Sequence, residues 1–131
     1  MSGTLKRAHF IIYVHDQEQS TRFYSCVLGC EPSLHVPGMT EFALPGGSVL
    51  GLMPVTGIRR LLGERLPDPA SATGVPRAEL YLVVEDAAAC HERALNAGAT
   101  ELSPLEPRDW GQRVAYSLDA DGHVLAFAEP I

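Results

Sequence analysis

Apolar and polar positions first alternate along this chain and then change to a helical period. Across residues 8–14, His9, Ile11 and Tyr13 fall on one face of an extended segment, and Phe10, Ile12 and Val14 fall on the other. Asp16 follows as a helix N-cap, its carboxylate placed to accept from the open amides of the first turn. From Gln17 to Leu28 the apolar residues Phe23, Tyr24, Val27 and Leu28 keep helical spacing, and Gly29 supplies a left-handed exit. Strands are predicted at 31–36, 40–44 and 48–54, parted by Pro37-Gly38 and Pro45-Gly46-Gly47 turns.

The same order of elements then returns. A strand at 79–84 leads to Asp86 as N-cap and to a helix through Ala97, with Ala89, Cys90, Arg93, Ala94 and Ala97 as its predicted packed stripe. Strands follow at 100–102, 113–118 and 123–128, the last two joined through Asp119-Ala120-Asp121-Gly122. His9 maps onto Glu79 at an offset of 70 residues and Gly47 onto Gly122 at 75, so the copies match only after small insertions. The fold class is α+β, two tandem βαβββ units forming a cupped, partly closed sheet with its helices on one side. We expect a single domain over 1–131, with repeat one at about 5–54 and repeat two at about 79–130.

Residues 55–78 interrupt the pattern. Ile58 to Gly63 can form one or two helical turns, and Pro67, Pro69, Gly74 and Pro76 oppose any longer element. This reads as a connector packed through Ile58, Leu61 and Leu62. It could act as a lid, with Arg59 and Arg60 either solvated or touching an acidic ligand.

Composition narrows the function. A net charge of −6 with no Lys/Arg run argues against nucleic acid and anionic membrane surfaces as partners. Met1 to Arg7 is polar, and no apolar run is long enough to span a bilayer, so a soluble cytoplasmic protein is expected. Cys26, Cys30 and Cys90 are odd in number and lack a zinc-ligand partner set, which leads us to expect buried, reduced thiols. His35 and Glu41 flank a turn and are expected as a cross-strand pair; His15, His91 and His123 fall at turns or on a helix surface and receive no role. Asp119 and Asp121 look like a fragment of a calcium loop whose remainder is missing.

The pattern His-x-x-x-x-Val-x-Asp, then Phe-Tyr-x-x-x-Leu-Gly, and late Asp-x-Asp-Gly-His-x-Leu, resembles the vicinal oxygen chelate superfamily. That superfamily includes glyoxalase I, extradiol dioxygenases, fosfomycin-resistance enzymes and bleomycin-resistance proteins. The resemblance runs from about Leu5 to Pro130. It implies metal-ligand slots at His9, Gly51, Glu79 and Ala126, of which only His9 and Glu79 carry donors. A catalytic divalent site generally needs three or more protein ligands, so no metal cofactor is expected; were one present, His9 and Glu79 would hold it.

On the same resemblance, His9 and Glu79 form a possible acid/base pair in the cup floor, or a pair that merely satisfies itself. Tyr13 and Tyr81 share their facing, and Tyr116 is a further candidate contact. Gly51 and Ala126 remove bulk, while Met53 and Val49 add apolar wall. Trp110, the only Trp, either stacks on a flat ligand at the rim or closes a core or dimer contact. The expected function is a small-molecule-binding protein of the bleomycin-resistance type, holding an organic ligand as a homodimer. The alternative is a metal-dependent glyoxalase, lyase or dioxygenase using His9 and Glu79.

Overall fold

The computed structural model describes residues 3–72 and 74–131; Met1 and Ser2 of the polar leading stretch, and Thr73 of the connector, lie outside them. The chain divides into two compact units, Met1–Ser25 with Gly29–Ser71, and Cys26–Leu28 with Ala72–Ile131.

The first unit contains β1 (His9–Val14), α1 (Gln17–Leu28, whose last residues group with the second unit), β2 (Leu34–Val36), β3 (Met39–Ala43) and β4 (Val49–Pro54). Its sheet is four-stranded in the order β1-β4-β3-β2, with β1 parallel to β4 and the other pairs antiparallel. The predicted helix boundaries hold because both caps form: Asp16 accepts from the Gln19 amide, and Gly29 takes φ 69° beyond the last turn. Ile12, Val14, Phe42, Leu50 and Leu52 are buried, and they share one face by strand register. Thr40 lies on that face and is tied to α1 through Gln17 Nε2 (2.9 Å) and Thr21 Oγ1 (3.0 Å). The connector forms a fuller helix than expected, α2 (Val55–Leu62), buried through Val55 and Ile58, whereas Leu61 and Leu62 stay exposed. Its Arg59 donates to the Leu66 carbonyl at 2.7 Å, which makes this arginine a clasp within the connector.

The second unit repeats the design with β5 (Glu79–Val83), α3 (Ala87–Asn96), β6 (Thr100–Pro107), β7 (Gln112–Leu118) and β8 (Val124–Pro130), in the order β5-β8-β7-β6. Strand β6 runs five residues further than expected, because register shifts between Glu101 and Ser103 and between Ser103 and Glu106 absorb Pro104. The packed stripe of α3 is also different: Ala87, His91 and Ala94 are buried. The small alanines on every side of this helix left the phase of its apolar stripe undefined in sequence. His91 fills the place of a core residue, its ring edge-on to Phe127 and its Nε2 2.9 Å from Glu101. Both sheets are open, ending at β1 and β2 in one unit and at β5 and β6 in the other.

The turn between β7 and β8 is closely fitted. Asp119 accepts the backbone N–H groups of Asp121 and His123 on Oδ1, while Oδ2 faces His123 Nδ1 at 3.0 Å. All three side chains are buried, so His123 is a turn brace and not a surface residue. Gly122 has φ 88°, and a Cβ there would stand 2.9 Å from the backbone of Gly74; Arg77 closes the other side by donating to the Asp121 carbonyl. Gly29→Ala meets no atom within 4 Å and should lose roughly 1 kcal/mol to positive-φ strain alone. Gly122→Ala should lose more, about 2–4 kcal/mol, since the Gly74 backbone must also move. Urea midpoints at equal m-value would show the order, and equal losses would contradict the close approach.

Candidate functional site

In the first unit, strand register assigns the sequence candidates to the face opposite Ile12, Phe42 and Leu50; in the second it assigns them to the face that carries the buried Val114, Ala126 and Ala128. In the first unit, His9, Ile11 and Tyr13 of β1 lie beside Val49, Gly51 and Met53 of β4, and Gly51 lies beside Glu41 of β3. His9 and Glu41 come together, Nδ1 to Oε2 at 3.4 Å. Arg7 Nε donates to His9 Nε2 at 3.0 Å, so that nitrogen carries the lone pair and Nδ1 carries the proton facing the carboxylate. The expected His35–Glu41 pair does not form. Glu41 is opposite Leu34, His35 is opposite Thr40, and the two side chains therefore leave the hairpin on different faces.

Gly51 does not leave a void. A Cβ at this position would lie 2.9 Å from Ile11 Cγ1 and 3.4 Å from Met39 Sδ, so the room is already taken by neighbouring side chains. Ala126 in the second unit is wholly buried and packs with Val114, Ala128 and Tyr116. Two of the four ligand slots implied by the sequence pattern are thus apolar and occupied. The residues present do not suit a four-ligand metal centre at those slots.

In the second unit, Tyr81, Ala126 and Tyr116 are lateral partners on β5, β8 and β7, with Glu79 one step along β5 on the same face. The segment 108–111 folds back onto this face. Trp110 Nε1 donates to the Tyr81 hydroxyl at 2.8 Å, and that hydroxyl donates to Gln112 Oε1. The Trp110 indole N–H and the Tyr81 hydroxyl proton are both spoken for, which fixes both rings. Even so Trp110 is 56% exposed and Tyr81 37%, so pre-ordered aromatic surface faces outward. Arg108 lies over the Tyr116 ring at 5.2 Å, held there by bonds to Ser103 Oγ (2.6 Å) and the Val114 carbonyl (2.8 Å). Tyr116 is pushed above the usual phenol range first by burial and then by the charge of Glu79, with Arg108 opposing.

Gln112 and Arg108 were not among the sequence candidates. The spacing Arg108-Asp109-Trp110-Gly111-Gln112 did hold the signal, since Gly111 at φ 86° turns the chain back and Gln112 points the same way as Tyr116. The cysteine expectation fails in part: Cys26 and Cys30 are exposed and Cys90 is half-buried. Among the described residues, one trio has metal-donor atoms all within 4.8 Å of one another, namely Asp119, Asp121 and His123. Both Asp119 oxygens already face N–H groups of the turn, which makes the trio a hydrogen-bonded brace.

Comparison with known proteins agrees with this layout. The family model for the glyoxalase/bleomycin resistance protein/dioxygenase superfamily matches residues 6–127. An uncharacterized protein of Mycobacterium tuberculosis is 29% identical over 129 residues, covering 92% of this chain and 72% of its own length. Among solved structures, a glyoxalase-related enzyme from Fulvimarina pelagi is 26% identical with TM-score 0.78, covering 93% of this chain and 86% of that one. A glyoxalase/bleomycin resistance protein/dioxygenase family enzyme from Burkholderia phytofirmans, 20% identical with TM-score 0.78 over 95% of this chain and 98% of its own, shares the fold. With both repeats inside the matched span, the chain belongs to the glyoxalase/bleomycin resistance protein/dioxygenase superfamily.

Proposed function

We propose that this protein binds a small, flat organic molecule on the exposed Trp110–Tyr81 surface of the second unit, without a catalytic metal, and that the chain is a single ligand-binding domain. The observation that carries the reading is the Trp110–Tyr81–Gln112 chain, which holds two aromatic rings in place while leaving them open to solvent. A ring already fixed loses little entropy on stacking, so such a surface favours a planar ligand. Glu79 gives the same face a carboxylate, and the amide N–H2 of Gln112 is left to donate. His9, Tyr13, Gly51 and Met53 share the open face of the first sheet, Gly51 as backbone beneath Ile11. Ala126, lateral to Tyr81, packs with Val114, Ala128 and Tyr116. The metal-free reading is supported by the guanidinium of Arg7 on His9 Nε2, since a cation there opposes a second cation.

A second reading is an enzyme. The His9–Glu41 contact favours it, because an imidazole with its proton aimed at a carboxylate can relay a proton. Metal-dependent lyase or dioxygenase chemistry would require His9 and Glu79 to recruit further ligands.

Fluorescence of Trp110, the only Trp, separates these readings. Planar organic compounds should quench it saturably in chelator-treated protein, and Tyr81→Phe should weaken binding by about 5- to 10-fold through the lost hydrogen bond. Near-stoichiometric zinc, nickel, manganese or iron in purified protein, with binding or turnover lost on chelation, would sink the metal-free reading.

Tyr116 offers an independent check. Its folded-state pKa lies above the unfolded value of 10.0, so its contribution to stability is intact below pH 10 and declines as pH rises through the folded value. In a phenolate absorbance titration Tyr116→Phe should remove the late-titrating tyrosine, and Glu79→Gln should move that step to lower pH. An unchanged profile in Glu79→Gln would show that the carboxylate does not face this ring.

The chain is also expected to self-associate. Phe10 and Val83, each 62% exposed, lie on the edge strands β1 and β5, where apolar side chains favour a covering partner. Light scattering across micromolar concentrations should give twice the chain mass, and a monomer mass would refute the homodimer. No helix among the described residues is long and apolar enough to cross a membrane.

A further inference from the structure

The charge of a ligand suited to the Trp110 face follows from which protons and charges of that face are already used. The Trp110 indole N–H is spent on the Tyr81 hydroxyl, and the Tyr81 proton on Gln112 Oε1, so neither ring donates outward. The rings still present π surface, which is electron-rich over the ring plane. Arg108, above the Tyr116 ring, is used up as well. Its Nε donates to the Val114 carbonyl at 3.3 Å, its Nη2 donates to Ser103 Oγ at 2.6 Å, and its Nη1 stands 3.6 Å from Glu106.

The other cationic side chains of the second unit are turned elsewhere. From Ala72 to Ile131 there is no lysine. Arg77 donates to the Val75 and Asp121 carbonyls, and Arg93 of α3 donates to the Val27 carbonyl. Arg113 falls on the opposite face of β7 from Gln112 and Tyr116.

Glu79 is the reverse case. It is exposed and lies two residues before Tyr81 on the same face of β5, about 7 Å along the strand. Among the described residues it forms no ion pair with Lys, Arg or His. Its charge nevertheless reaches the aromatic cluster: burial first, and then Glu79, push the Tyr116 phenol up. An unpaired carboxylate beside two exposed rings, with every nearby guanidinium committed, is complementary to positive charge.

Resting on the assignment of this face as the ligand surface, we propose that its ligand is a planar aromatic cation bearing N–H donors, of the amidinium or aminopyridinium class. Its ring stacks on Trp110 and Tyr81, and its charged end lies toward Glu79. An aromatic carboxylate of the same shape is disfavoured, because it meets Glu79 and the ring faces with only the Gln112 amide to receive it.

The test uses three probes of one shape, benzamidinium, benzamide and benzoate, titrated into the full chain. Binding is followed by the indole N–H resonance of Trp110, the only Trp. The amidinium should bind about 5- to 10-fold more tightly than the amide, with benzoate weakest. Added salt should reduce that preference. Glu79→Gln, at an exposed position, should bring amidinium and amide to within about twofold of each other. Equal binding of the three probes, or benzoate binding best, would overturn the cation assignment while leaving the flat-ligand surface standing. A preference that survives Glu79→Gln would overturn it too, since the charge would then come from another carboxylate, such as the exposed Asp109. No response of the Trp110 resonance to any of the three would remove the ligand surface and the cation assignment together.

Discussion

Each repeat is organised by one pairing, that of its first strand with its last, in parallel. A parallel pair cannot be closed by a tight turn, so the chain must leave the sheet between the two strands and return. The capped helices α1 and α3 begin those excursions, and the two remaining strands are added beyond the last one in antiparallel order. Face assignment follows at once. Phe42, Leu50 and Leu52 go to the buried face of the first sheet, and His9, Glu41 and Gly51 to the other. In the second sheet Leu125 and Phe127 alternate with Ala126 and Ala128, and there both sets are buried. A side chain's chance of meeting a ligand is thus decided by strand parity before any chemistry is considered.

Parity is also why so much was legible in the sequence. The apolar alternation of 8–14, the Asp16 and Asp86 caps and the Gly29 exit are local signals, and each has the structure its residues dictate. Assigning Tyr13, Tyr81 and Glu79 to one kind of face needed no more than counting from His9 along each copy. Failures appear where the signal is not local. The length of β6 depends on register shifts against β7 that accommodate Pro104, and nothing in residues 103–107 alone announces them. The stripe of α3 could not be phased among alanines. His91 was judged by its polarity, although an imidazole with one hydrogen bond and one stacked ring fits a core.

The glycine at position 51 illustrates a different limit. From the sequence, a missing side chain in a ligand slot reads as empty space. In the folded sheet, a lateral neighbour fills it, because adjacent strands bring Ile11 across the pleat to within 2.9 Å of where a Cβ would be. Absence of bulk in one residue is therefore information about its neighbours. The same reasoning explains Gly122, where the space is claimed by backbone and cannot be recovered by a rotamer change.

His9 faces Glu41, His35 faces Glu18, His91 faces Glu101 and His123 faces Asp119. The carboxylate alone does not distinguish them. What does is the rest of each environment. Arg7 on Nε2 of His9 holds a neutral ring whose proton is directed at Glu41, an arrangement suited to proton relay and opposed to a second cation. The Nδ1 of His91 is buried with no hydrogen-bond partner, so its ring is a packing element that donates through Nε2 alone. At His123 the residue's own backbone amide joins its ring in binding Asp119, and the residue closes a turn. His35 meets Thr40 through Nδ1 and Glu18 through Nε2, so its ring ties the β2–β3 hairpin to α1. The residue type repeats, but the partners of the two ring nitrogens decide what each ring can do.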